Sequence, residues 1–428
     1  MSKSFTSLCL CSLMIIFMLS GCIEEYDAEL PDNETKLLVV EGRIHPGQCV
    51  FRLRRSESLT PYENEFVMPY VIDAELSIVG SDDSYFQLKH WGEGIYIYNN
   101  LMLDPDVKYS LHIKDGNDTY ESDPQYPLAT EEIKCMIGRQ NTSENNIDVL
   151  ITTEAPSDAG NEKYYRWEVY ETWEVHPEIT TTIYYDFEKR KPISKLDLYP
   201  KRGWKDSVRH EIIVGSSSRY DRQQIQNLRI YDIDRANERI YYGYSADVIQ
   251  RAISKGEYEY ELARRQAGYE MGGLFSPLPS SLPSNIRCTS SNKHVIGYVG
   301  CSLFATAGRL FLAPNDFSIC RIKKAKTISH KGLSEYETYE LACDMQDYGW
   351  GLCGWNVKMP ESTITSEWAR VEDLDVRWQG AYIDIPYFWP TGDYKSFYQS
   401  IPYYENFHNP YYDDFDYYNY DYEDYNYE

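Results

Sequence analysis

The chain has 428 residues, a formal net charge of -25 and a pI near 4.8. Such a polyanion lacks the clustered Lys and Arg that neutralise phosphates, which argues against a nucleic-acid partner. The length implies two or more domains with sizeable cores. The 41 tyrosines raise the aromatic content to 15%, which suits strands, interfaces and stacking surfaces.

Lys3 precedes an apolar run from Leu8 to Leu19. That run is shorter than the ~20 residues of a membrane-spanning helix. It ends in Leu19-Ser20-Gly21-Cys22, which reads as a lipobox. Residues 1–21 are therefore expected to be a lipoprotein signal peptide, with Cys22 as the lipidated residue. A buried helix and an ordinary secretory signal are the alternatives. Residues 22–35 carry Glu24, Glu25, Asp27, Glu29, Asp32 and Glu34 before any basic residue. A stretch of this kind repels itself and reads as an extended tether.

Residues 36–130 read as a β-sandwich of immunoglobulin or transthyretin type. Phe51 and Leu53 alternate with arginines. Ile72, Ala74, Leu76 and Ile78 alternate with polar residues, as do Leu111 and Ile113. Phe51, Leu53, Ile72, Leu76, Leu111 and Ile113 are expected to face the interior. Residues 131–330 read as a second β-rich body, with alternation at Ile147, Val149 and Ile151 and again at Tyr165, Trp167 and Val169. Residues 176–210 look irregular, and Ile240-Tyr241-Tyr242 looks like a strand. Val248, Ile249, Ala252 and Ile253 fall at helical spacing, which predicts a helix over Ala246–Ala267. The predicted fold class is thus mainly β, with a helical insertion in the second body.

Residues 331–410 form a cysteine- and aromatic-rich extension. The terminal 411–428 stretch holds only Tyr, Asp, Glu, Asn and Phe, a composition expected to be disordered. Beyond Cys22, seven cysteines remain: Cys49, Cys135, Cys288, Cys301, Cys320, Cys343 and Cys353. Cell-surface compartments permit disulfides. A bridge is expected among Cys320, Cys343 and Cys353, with Cys320–Cys353 preferred and Cys343–Cys353 its rival. Cys49 and Cys135, in apolar settings, are expected to be small buried thiols.

No phosphate-binding loop, dinucleotide fingerprint, zinc-protease motif or nucleophile elbow occurs, so no catalytic residue is assigned. The cysteines and histidines show no zinc-ligand spacing, and no metal or cofactor is expected. Asp232 and Asp234 share a strand face, which suits half of a carboxylate pair, a calcium contact or, as the favoured reading, plain solvation. Arg166 and Glu168 share another and suit an ion pair. Tyr164 and Trp173 are the candidates for ligand stacking.

Four blocks bear a resemblance. They are Leu38-Val39-Val40-Glu41-Gly42; Tyr164-Tyr165-Arg166-Trp167 with Glu171-Thr172-Trp173; Gly272-Gly273-Leu274-Phe275 with Pro279 and Asn285-Ile286; and Val295-Ile296-Gly297-Tyr298. In order and spacing they resemble a Bacteroidota lipoprotein family known as domain of unknown function 4249. The acidic run after Cys22 likewise resembles the export signal of surface lipoproteins in that phylum. The resemblance implies a lipid-anchored, surface-exposed outer-membrane protein encoded beside a TonB-dependent transporter. The favoured function is then a non-enzymatic accessory that captures, gates or positions a ligand for import. A surface adhesion module using the tyrosine-acid tail is a competing expectation. A glycan or peptide hydrolase with paired carboxylates is another.

Overall fold

The computed structural model describes residues 37–56, 70–157, 160–269, 282–321, 325–358, 363–390 and 401–402. The expected signal peptide, the expected lipidation site Cys22, the expected tether, the Gly272–Phe275 block and the 411–428 tail lie outside the described residues.

The chain is mainly β and forms two sandwiches and a smaller layer. The first sandwich begins with β1 (Leu38–Ile44), β2 (Gly47–Arg55), β3 (Glu75–Gly80) and β4 (Tyr85–Gln87). It continues through β5 (Lys89–Gly92), β6 (Ile95–Leu101), β7 (Tyr109–Asp115) and β8 (Asp118–Ser122). Alternation decides which faces meet. Leu38, Val40 and Ile44 of β1 and Cys49, Phe51 and Leu53 of β2 are buried against Leu76, Ile78, Leu111 and Ile113 of the facing sheet. Each such side chain contributes about 1.5–3 kcal/mol of hydrophobic stabilisation.

Ile72 is the exception, at 52% exposed. The Tyr96 hydroxyl donates to the Val71 carbonyl and accepts from the Ala74 N–H. Those bonds hold residues 71–74 out of the ladder, so the alternation starts only at Glu75. Val71 takes the buried place instead.

The chain continues through β9 (Ile133–Asn141), β10 (Asn146–Thr153), β11 (Tyr164–Val175), β12 (Ile183–Asp186), β13 (Lys191–Ser194), β14 (Gly203–Val208), β15 (Ile213–Ser216), β16 (Leu228–Asp234) and β17 (Tyr244–Ile253), which build the second sandwich except for β12 and β13, a separate two-stranded hairpin. The small sheet runs β16-β10-β9. The region expected to be irregular thus holds the β12–β13 hairpin and β14. The expected strand at Ile240 is instead a 3-10 turn over Glu238–Ile240.

The helix predicted over Ala246–Ala267 is corrected. Its first half is β17, paired on both sides by β11 and by a later strand. Ile249 and Val248 are both buried, because a central strand covered on two faces reads as a continuous apolar run without period two. The helix α1 occupies Lys255–Tyr269. Ser254 stops the strand and starts the helix by accepting the Glu257 N–H on its side-chain oxygen.

The chain then returns to the first sandwich. β18 (Ile286–Cys288) pairs with β8, while β19 (Val295–Ile296) and β20 (Gly300–Cys301) run parallel to β1. β21 (Thr306–Leu312) completes the second sandwich, whose large sheet runs β14-β11-β17-β21 with β15 beside β11. The C-terminal layer has β22 (Thr327–Leu333), helix α2 (Glu335–Asp347), β23 (Trp350–Lys358), β24 (Thr363–Arg370) and the short helix α3 (Val371–Leu374). Its sheet runs β22-β24-β23, and β25 (Ile401–Pro402) pairs with β21. Ser334 caps α2 with a reciprocal Glu337 bond.

The expected disulfide is also corrected: Cys320, Cys343 and Cys353 are all free thiols. α2 packs on the sheet through Ala342, in one cluster with Leu352 and Trp368. Cys353 sits in the bulge between Leu352 and Gly354 and lines a different groove beside Tyr199 and Leu374. Cys320 is tied by its N–H to Arg235 of the second sandwich. Cys49 is fully buried, and burial pushes its thiol up to about 12; Cys135 is only half-buried.

Candidate functional site

Three of the four sequence blocks meet in one place. β1 brings Val40, Glu41 and Gly42, β11 brings Arg166, and the turn after β19 brings Tyr298. With residues of β17 and α1 they line a cavity of about 290 Å3 between the two sandwiches. Arg43 pairs with Glu257. Arg166 donates to Glu261 at 2.6 Å and lies 3.9 Å from Glu168, the sequence-predicted pair. Arg264 also reaches Glu261, at 3.2 Å. The Glu257 and Glu261 side chains are 5% and 3% exposed.

Burial pushes Glu257 up against the pull of Arg43 and Arg166. At Glu168 burial also raises the pKa, but Arg251, Arg166 and Arg43 outweigh it and hold the carboxyl below its ordinary value. His45, inside the same cavity, is pushed down to about 4, first by burial and then by Arg251. Four arginines thus face four glutamates around the cavity, and the one imidazole is neutral near neutral pH. A lining so balanced is a clamp that holds α1 between the sandwiches.

The larger opening is a cleft of about 770 Å3 between the second sandwich and the C-terminal layer. Val175, His176, Lys205, Glu238, Tyr241 and Tyr242 form one wall, and Trp350, Arg370, Asp373 and Trp378 stand on the other. The His176 ring stacks on Tyr242 with centroids 3.8 Å apart, and the Arg321 guanidinium lies 4.5 Å from the same ring. Arg370 lies 4.6 Å from the Trp350 centroid. Trp378 is 70% exposed. Lys205 pairs with Glu238 at 3.4 Å. Burial, and then Glu178 and Glu372, push Asp373 up.

The two predicted stacking residues are used internally. Trp173 is 6% exposed, with the Arg239 guanidinium 4.9 Å from its ring. Tyr164 packs on Tyr258 of α1 at 5.0 Å and donates to Glu162. Asp232 accepts from Asn146 and Asp234 accepts from the Ala236 N–H, so both serve the local backbone and its neighbours. Among the described residues no group of three or more His, Cys, Asp or Glu side chains could hold a metal. No helix among them is long and apolar enough to cross a membrane.

Sequence reasoning missed both openings. Glu257 and Glu261, four apart on one helix face, were the available signal for the clamp, since like charges at that spacing need answering cations. The cleft had no local signal, because its walls are far apart in the chain.

A family model described as Domain of unknown function (DUF4249) matches residues 23–307. The chain belongs to this family. The DUF4249 match spans the first sandwich, the charge clamp and the second sandwich up to the start of β21. One wall of the cleft therefore lies within the matched residues, and Arg321, Trp350 and Trp378 lie beyond them. Among solved structures, the chain is similar to a two-domain fibronectin type-III segment from chicken tenascin. The identity is 11% and the TM-score 0.13, over 50% of this chain and 90% of that one. No curated protein matches the sequence.

Proposed function

We propose that this DUF4249 chain is a non-enzymatic, surface-exposed outer-membrane lipoprotein that captures a ligand beside a TonB-dependent transporter. The observation that carries the reading is Leu19-Ser20-Gly21-Cys22 with the acidic run behind it. A thioether-linked lipid on Cys22 anchors the chain, and the charged tether lets a folded body stand off the membrane. The β-rich body supports the capture reading by offering an open cleft with aromatic side chains in its walls. The test is co-purification: tagged full-length protein is drawn from outer membranes in mild detergent and its partners are identified by mass spectrometry. A TonB-dependent transporter enriched with the bait is the expected result. Its absence across several mild detergents contradicts the partnership.

A further inference from the structure

We infer that the cleft between the second sandwich and the C-terminal layer binds a neutral oligosaccharide. The inference deepens the capture reading and rests on it for its biological use, while the binding itself stands on the cleft.

Three observations select this ligand class. First, the opening carries aromatic platforms. Trp378 is 70% exposed, and Trp350 shares its wall. A pyranose has an apolar C–H face that lies flat on such rings, and the Trp rings supply large apolar area at low conformational cost. Second, the lining carries cationic and anionic side chains in equal number. Lys205, Arg321, Lys326 and Arg370 are matched by Glu178, Glu238, Glu372 and Asp373. Sugar hydroxyls donate to carboxylates and accept from guanidinium and ammonium groups, so a neutral polyol uses both kinds at once.

An anionic ligand would gain from the bases and lose the same at the acids. It would also approach a chain of net charge -25, which disfavours encounter. Third, the volume of about 770 Å3 lies within the range of about 300–1,000 Å3 of small-molecule sites and exceeds what one sugar ring fills. More than one sugar ring therefore has room beside Trp378, with Trp350 and its Arg370 partner on the same wall.

The purified full-length chain is titrated, in detergent, with maltotriose, cellotriose, mannotriose and tri-N-acetylchitotriose, and with trigalacturonate as the anionic comparison. Calorimetry and tryptophan fluorescence report binding. At least one neutral trisaccharide is expected to bind and shift the emission, and to bind more tightly than trigalacturonate. Trp378→Ala should weaken that binding about tenfold. It should leave the melting temperature unchanged, because the ring is exposed. Tyr336→Ala removes an exposed aromatic outside the cleft and should leave binding unchanged. The inference is overturned if no neutral trisaccharide binds, if trigalacturonate binds more tightly, or if Trp378→Ala binds like the parent. All these measurements omit the transporter, so a failed co-purification and a failed titration are separate results.

Discussion

His45 reports directly on the clamp. Its pKa falls from 6.5 to about 4 because burial, and then Arg251, disfavour the imidazolium; Arg43 adds to this, and Glu168 opposes it. The unfolded chain binds this proton near 6.5, whereas the folded chain resists it until about 4. Within that window the unfolded state holds more protons, so folding stability is lost as pH falls. Urea unfolding at about pH 7 and about pH 4 should show the parent losing about 1–3 kcal/mol more than His45→Gln. Equal losses would place the imidazole in solvent.

Gly42 makes a second residue-scale case. Its φ is +144°, and a Cβ there would come 2.5 Å from Phe51 Cδ1 and 2.6 Å from the Val50 carbonyl oxygen. Gly42→Ala should therefore cost about 2–4 kcal/mol and lower the thermal midpoint. An unchanged midpoint would contradict the close approach of β1 and β2. The sequence block containing Gly42 was visible, but the reason for the glycine was not, since it lies in a neighbouring strand. Phe51, Leu53, Leu76, Leu111 and Ile113 were legible because each strand has one core-facing side. Ile72 was not, because a hydroxyl on the distant Tyr96 decides where the ladder begins.

At the scale of elements, α1 is held by buried ion pairs rather than by a broad apolar face. Removing one partner leaves an uncompensated buried charge, which costs about 3–5 kcal/mol. Glu257→Ala should destabilise by that order, and adding Arg43→Ala should cost far less than the sum of the two single changes. Chemical denaturation of the full cycle checks this, and strict additivity would show that the pair does not interact. The β17–α1 boundary was half legible. Its helical half was visible after Gly256, but β17, covered on both faces, mimics a helix in its apolar spacing. The cysteines teach a related lesson. Spacing allowed a bridge, yet the three thiols are free, with Cys343 on α2, Cys353 in the β23 bulge and Cys320 tied by its N–H to Arg235. Alkylation of unfolded, unreduced protein should label Cys320, Cys343 and Cys353 completely. Protection of any two would restore the bridge.

For the whole molecule, the fold class was readable from local alternation, but its assembly was not. β18, β19 and β20 return from far along the chain to complete the first sandwich, and no local pattern announces which sheet a short strand joins. The same holds for the cleft, whose two walls come from the second sandwich and the C-terminal layer. The proposed address, by contrast, is read from a few contiguous residues around Cys22, and so needs no long-range contact. The central claim is that the lipid on Cys22 anchors this body outside the cell. Protease shaving of intact cells producing the parent and Cys22→Ser tests it most directly. The account predicts that the parent fractionates with the outer membrane and is digested from outside, while the variant leaves the membrane. A parent that stays intact until the cells are lysed would contradict it.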